Sequence, residues 1–289
     1  MIAAIGGAHI DSRGLLRAPS VPGSSNPATV RTDFGGVARN VAYNLARLGC
    51  LVRLVSRVGD DESGRQVRHH LEAAGIEPLL TTSPNHPTAS YTAILEPSGE
   101  LVIGLADMDI YDELTPERIE PFLPRLRECD LWFLDTNLPG DTISWLLDAA
   151  GPVMVAVDAI SVAKSQRLVP LLPRIPLLFC NAAQASVLAK ARSAAGLPGA
   201  PAAVVSDGER GIAVSQGGEV HTMRTLPAKP RDVTGAGDAL VAGTLYGLSH
   251  GEPLLDAVRW GLAAAAVTVE SEFAAVPNLT RQLLEARLA

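Results

Sequence analysis

Cysteine is scarce in this sequence: Cys50, Cys129 and Cys180 are the only three, widely spaced and with no Cys-x-x-Cys pair. Such a set supplies neither a disulfide framework nor a thiolate zinc site, and it reads as reduced thiols of a cytoplasmic protein. Aromatic residues make up only 4%, which leaves Phe34, Tyr91 and Tyr111 as the candidates for stacking on a flat ligand. No apolar run reaches the roughly 18 residues of a membrane helix. The opening Met1–Gly7 stretch has no basic residue ahead of its apolar ones, so it does not read as a signal peptide. Positive charge is in deficit, with 24 Lys and Arg against 31 Asp and Glu and a formal net charge of −7. That balance argues against nucleic acid or an anionic membrane as partner. It leaves room for a small anion, because backbone N–H groups can cradle phosphate on an acidic protein.

Several catalytic signatures are also missing. No Gly-Lys pair occurs, so there is no P-loop, and Leu240 breaks the only candidate for Gly-x-Gly-x-x-Gly. The six histidines show no His-Glu-x-x-His spacing. Dehydrogenase and zinc-hydrolase chemistry lose their main supports, and a serine-hydrolase elbow is not expected either.

What is present is a 47% hydrophobic chain of 289 residues, long enough for one large α/β domain or two small ones. Short apolar runs at Ile2–Ile5, Leu51–Val58, Leu131–Leu134, Pro152–Val157, Leu177–Phe179 and Ala203–Val205 suit strands covered on both faces. Helical spacing runs between them, as in Val37, Val41, Leu45 and Leu48, with Gly49 as a stop. The alternation predicts an α/β fold: a mostly parallel sheet between two helical layers. Two stretches break the rhythm. Residues 9–34 carry four turn-formers, Pro19, Pro22, Gly23 and Pro27, and residues 88–105 read as a hairpin turning near Gly99. Both are candidates for a lid, over about 12–34 and 88–106 of a single domain spanning 1–289. The Pro- and Ala-rich piece 194–203 reads as a surface loop.

The most informative segment is Asp232-Val233-Thr234-Gly235-Ala236-Gly237-Asp238. The stripe Val241, Thr244, Leu245 and Leu248 follows it, so Gly235-Ala236-Gly237 stands where a helix begins. The first N–H groups of a helix lack internal acceptors, and three small residues let an anion approach them. A carboxylate there would repel a triphosphate. It is tolerable where an alcohol must lose a proton beside a phosphoryl group. The alternative is a plain glycine turn with Asp238 as a capping residue.

These segments, with Gly35-Gly36-Val37-Ala38-Arg39-Asn40, Gly59-Asp60-Asp61-Glu62-Ser63-Gly64 and Ser206-Asp207-Gly208-Glu209-Arg210-Gly211 in order, resemble the ribokinase-like (PfkB) kinases over nearly the whole length. The resemblance implies a three-layer α/β/α fold with a small β lid, and ATP as co-substrate with magnesium. It implies that Asp238 is the general base and that Gly235, Ala236 and Gly237 form an anion hole. Asp11, Gly35, Gly36 and Asn40 would hold the acceptor. Asn181, Ser206, Asp207, Gly208, Gly211, Thr234, Ala264 and Thr268 would line the ATP side. Asp232 and the Thr234 carbonyl would hold a monovalent cation such as K⁺. Read without it, Asp11 and Asn40 serve equally well as caps, and Gly208 and Gly211 as a hairpin turn.

One departure stands out. The family pattern Asn-x-x-Glu is here Asn181-Ala182-Ala183-Gln184, so Gln184 would meet magnesium's waters with a neutral amide. The loop 189–202 is also short for the family. Further segments resemble the pseudouridine kinases of that family: Ser25-Asn26-Pro27, Ala106–Ile110, Asp135-Thr136-Asn137-Leu138-Pro139 and Asp158–Lys164. They imply transfer to the 5′-hydroxyl of pseudouridine, with Asn26 and Asn137 reaching the base. Another ribonucleoside, ribose or a related sugar is the alternative, and a non-catalytic nucleotide or sugar sensor is the reading of another class. Open lid edges imply a homodimer through the lid.

Overall fold

The computed structural model describes residues 1–190 and 199–289. Its strands are β1 Ile2–Ile5, β2 His9–Leu16, β3 Ala28–Gly35, β4 Val52–Gly59, β5 Ile76–Ser83, β6 Ser90–Leu95, β7 Leu101–Asp107, β8 Leu131–Asp135, β9 Met154–Asp158, β10 Leu177–Asn181, β11 Ala202–Ser206, β12 Ile212–Gln216 and β13 Glu219–Met223. The six strands expected from the sequence are all present, displaced at their ends by a residue or two. The readings placed on 189–202 and 194–203 lie partly outside the described residues.

A nine-stranded sheet runs β13-β12-β11-β10-β9-β8-β1-β4-β5. The seven strands from β11 to β5 are parallel, and β12 and β13 close one edge antiparallel. Strand side chains alternate between faces, so the four residues of β1 divide between two cores. Ile2 and Ala4 join Val41, Leu45, Leu245 and Val258 on one face. Ala3 and Ile5 join Trp132, Ile143, Leu146 and Leu178 on the other. Both faces are covered by helices, which is why the parallel strands read as unbroken apolar runs. This is the expected three-layer α/β/α arrangement.

β1 lies between β4 and β8, so the chain order reverses there. Ligand sites of open α/β sheets form outside the carboxyl ends of strands at such a reversal. Gly6 and Gly7 follow β1, and Asp135, Asp158, Asn181 and Ser206 end β8, β9, β10 and β11. That edge gathers the large-sheet residues of the site considered below.

The second sheet has four strands in the order β3-β2-β6-β7. The proline-punctuated stretch 9–34 thus contributes two antiparallel strands around a loop, and the hairpin 88–106 forms as β6 and β7. Asp61 caps the helix Glu62–Ala73 by accepting the Gly64 N–H, and it also accepts the Thr88 N–H and hydroxyl ahead of β6. The Gly59–Gly64 motif therefore ties the small sheet to the large one.

Candidate active site

The helix Ala236–Ser249 begins at Gly235, whose backbone is left-handed, with φ 78°. Only glycine takes that conformation without cost, and a Cβ on Gly235 would overlap the Ala274 carbonyl oxygen. The turn before it is closed by Asp232, whose Oδ1 accepts the Thr234 N–H at 2.8 Å. N–H groups of a helix's first turn lack intrahelical acceptors, and Asp238 stands among them.

The helix Val37–Arg47 starts opposite, after Gly35 and Gly36. A Cβ on Gly35 would overlap the Asp11 carboxylate, and one on Gly36, with φ 100°, would overlap the Gly7 carbonyl. The two glycines therefore let this helix close onto β1 and onto Asp11 of β2. The Asn40 Nδ2 donates to Asp238 Oδ2 at 2.7 Å, and its Oδ1 accepts from Arg39 Nη1 at 2.8 Å. Arg39 fixes which end of that amide faces the carboxylate. The guanidinium is itself buried, donates to the Phe34 carbonyl at 3.1 Å and lies 2.5 Å from His70 Nε2. His70 stacks on Phe34 with ring centroids 3.9 Å apart.

Electrostatics follow from that packing. The Asp238 carboxyl is enclosed by protein except where it meets a cavity, and desolvation pushes its pKa up to about 8 against the lowering bond from Asn40; Asp158 and Asp135 push it up further. Asp158 is pushed up to about 7, also by burial. Burial draws Arg39 down to about 10 and His70 down to about 4, so His70 is neutral and can accept from the guanidinium.

Asp135 is a buried clasp. It accepts from the N–H groups of Gly7, Ala38 and Asn137 and from the Asn137 side chain, joining β1, the Val37–Arg47 helix and the turn after β8. Burial raises its pKa against those donors.

Two cavities meet at the helix start. The smaller, about 130 Å³, is lined by Asp158, Asn181, Gln184, Gly237 and Asp238 among others. The larger, about 650 Å³, shares Asn181, Ser206, Gly237 and Leu240 with it and runs between Ile212, Leu226, Pro227, Leu262, Ala266 and Val269. A mostly apolar slot of that size suits a nucleotide's base and sugar.

Several expected positions come out differently. Ala264 and Thr268 are fully buried, and the cavity is lined instead by Leu262, Ala265, Ala266 and Val269 of the same helix, Leu254–Val269. The helical turn puts those neighbours on the open side. Gly208 lines the larger cavity, whereas Asp207 pairs with Arg210 and Gly211 packs on the Met223 carbonyl with φ 104°. These last two shape the turn. Asn26 is engaged with its own loop: its Oδ1 accepts the Val21 N–H, and its Nδ2 donates to the Val21 and Ser24 carbonyls. The Asn137 amide is held by Asp135 and by Lys164 Nζ at 2.5 Å, beneath Gly7. Neither asparagine offers a free amide to a base. Tyr111 is 1% exposed and bonds His9, so it cannot stack on a ligand.

Gln184 forms a reciprocal cap with Asn181. Its Oε1 accepts the Asn181 N–H at 2.8 Å, and the Asn181 Oδ1 accepts the Gln184 N–H at 3.0 Å. The oxygen expected to meet magnesium's waters is thus engaged. Among the described residues no three His, Cys, Asp or Glu side chains converge as a metal cage. The string Gly247-Leu248-Ser249-His250-Gly251 has Gly-x-Ser-x-Gly spacing, but it closes a helix, and Ser249 donates to the Tyr246 carbonyl. It is not a strand-to-helix elbow. Sequence reasoning missed Asp135, Asp158, Arg39 and Arg13. A carboxylate ending a buried parallel strand was the available signal for the first two.

A model of the pfkB family of carbohydrate kinases matches residues 1–281. The pseudouridine kinase of Escherichia coli strain K12 is 29% identical over 96% of this chain and 92% of its own. A solved carbohydrate kinase from Agrobacterium tumefaciens is 37% identical, covering 99% of this chain and 96% of that one, with a TM-score of 0.87. Arabidopsis thaliana ribokinase, solved with ribose and ATP, superposes with a TM-score of 0.85 at 22% identity over 99% of this chain and 98% of its own, a likeness of fold. The chain belongs to the pfkB carbohydrate kinase family, and it is an ATP-using phosphotransferase with an alcohol acceptor, a sugar or nucleoside kinase. Among the described residues no helix is long and apolar enough to cross a membrane.

Proposed function

We propose, with pfkB membership as the premise, that this kinase phosphorylates the 5′-hydroxyl of pseudouridine, with Asp238 as general base. The observation that carries the proposal is the placement of Asp238: at a helix N-terminus, held by Asn40, where the two cavities join.

ATP enters the larger cavity with its base between Leu226 and Ala266 and its γ-phosphate at the amides of Gly235, Ala236 and Gly237. The ribose lies against Asp11 and Asn40, beneath the small sheet, which acts as a lid and keeps water from the phosphate. An Asp238 oxygen takes the 5′-hydroxyl proton as the acceptor's 5′ oxygen attacks the γ-phosphorus. The bond to the bridging oxygen breaks, ADP leaves, and the helix amides meet the charge on the transferred group. Magnesium, when bound with the nucleotide, would supply neutralising charge. Asp158, which lines the smaller cavity beside Asp238, would hold its waters, since Mg²⁺ binds through few protein ligands and substrate phosphate.

Pseudouridine is supported by the E. coli relative and by the segments around Asn26, Asp135 and Asp158. A different sugar is the second reading, favoured by the Agrobacterium carbohydrate kinase at 37% identity. Measuring ADP release with pseudouridine, uridine, other ribonucleosides, ribose and fructose distinguishes them. The highest kcat/KM is expected for pseudouridine. A higher value for any other acceptor overturns this substrate. The lid's outer face is proposed to pair with a second copy.

A further inference from the structure

The carboxylate expected to face a monovalent cation is met here by a side chain. Arg13, midway along β2 of the small sheet, reaches the loop before the helix start, and its Nη1 donates to Asp232 Oδ2 at 2.9 Å. The other oxygen, Oδ1, accepts the Thr234 N–H at 2.8 Å. The nearby Val269 carbonyl accepts the N–H groups of both Arg231 and Asp232. Both carboxylate oxygens and an adjacent carbonyl are therefore engaged, and the one negative charge has its counter-charge. An alkali cation needs several free oxygens and a net negative field, and a second positive charge beside the guanidinium would be repelled. The donor set does not fit K⁺.

We infer that the Arg13 guanidinium replaces the monovalent cation. It neutralises Asp232 and steadies the turn that puts Gly235 into its left-handed conformation, so the helix amides stay aimed without potassium. Because Arg13 belongs to the lid sheet, the same ion pair ties that sheet to the anion-binding turn. The kinetic part of this inference rests on the kinase reading; the part concerning cation binding does not.

The test compares KCl with choline chloride at equal ionic strength, reading both kcat/KM and the melting midpoint. Wild type is expected to give the same values in the two salts. Arg13→Gln vacates Asp232 and is expected to become potassium-responsive, losing about fivefold in kcat/KM when choline replaces K⁺ and melting higher in KCl. Arg13→Lys keeps a cation on the strand and is expected to stay indifferent. A wild-type enzyme that needs potassium overturns the inference, as does an Arg13→Gln protein that gains no potassium response by either reading. If Arg13→Gln does not fold, Arg13→Lys and wild type decide, since potassium activation of either is the contrary result. If no acceptor is turned over, the kinase reading fails separately, and the melting comparison still tests the cation.

Discussion

At the scale of single residues, the site depends on which way one amide points. Asn40 presents Nδ2 to Asp238 because Arg39 holds its Oδ1, and Arg39 is held in turn by the Phe34 carbonyl and neutral His70. The charged groups around Arg39 are Asp33, Asp11 and Asp238, with Tyr43 packed beneath the guanidinium. Removing the Asn40 donor removes a bond that favours the ionised base, so the pKa of Asp238 should rise further. Asn40→Ala is expected to lower kcat/KM by about ten- to a hundredfold, the worth of a hydrogen bond to a charged group. It should also move the acidic limb of the kcat/KM profile to higher pH. Arg39→Met should move that limb the same way through a mispointed Asn40, and a limb that stays put while only melting falls would make Arg39 a purely structural residue. Asp238 and the three small residues before it were legible in the sequence, because their spacing sets a carboxylate on a helix start, whereas Asn40 came only from the family resemblance. Asn26 and Asn137 were misread because a side-chain amide gives no sign in sequence of whether its own backbone or a buried aspartate will claim it.

At the scale of elements, most of the large sheet could be read from apolar runs, since strands covered on both faces leave little else in their sequence. The antiparallel edge β12–β13 and strands β2 and β3 were not, because edge and lid strands mix polar and apolar residues and are punctuated by proline. In helix Leu254–Val269 the resemblance put Ala264 and Thr268 on the ATP side, whereas they face the core. Phase is fixed by packing on the neighbouring helix: a Cβ on Gly261 would overlap the Leu240 carbonyl, and one on Gly243 the Trp260 carbonyl. On the small sheet, Val30, Gly14, Ile94 and Ile103 lie in one register row, and Arg13 points the opposite way, toward Asp232. Val30, Ile103 and Leu105 are 66%, 49% and 56% exposed, a hydrophobic row on the face turned from the cleft. The dimer proposed there should sediment at twice the chain mass, and Ile103→Lys should release monomers. A wild-type monomer at micromolar concentration would refute it.

At the scale of the whole molecule, Asp135, Asp158 and Asp238 gather in one poorly solvated region beyond the strand ends, and burial raises the pKa of each, that of Asp158 to about 7 and that of Asp238 to about 8. A carboxyl whose folded pKa is raised binds more protons folded than unfolded, so its contribution to stability is full below about pH 4 and is lost as pH climbs through its folded value. For Asp238 that window closes near pH 8, where the base becomes ionised and active. The fold therefore trades stability for a poised base, and kcat/KM should rise with pH toward 8. Asparagine at 238 carries no such penalty. The most direct measurement is kcat/KM and melting midpoint for Asp238→Asn beside wild type at pH 8. The account predicts a fall of about 10²–10⁴-fold, the worth of a general base, in a protein that melts no lower than wild type. Turnover near the wild-type rate in that folded variant would contradict it.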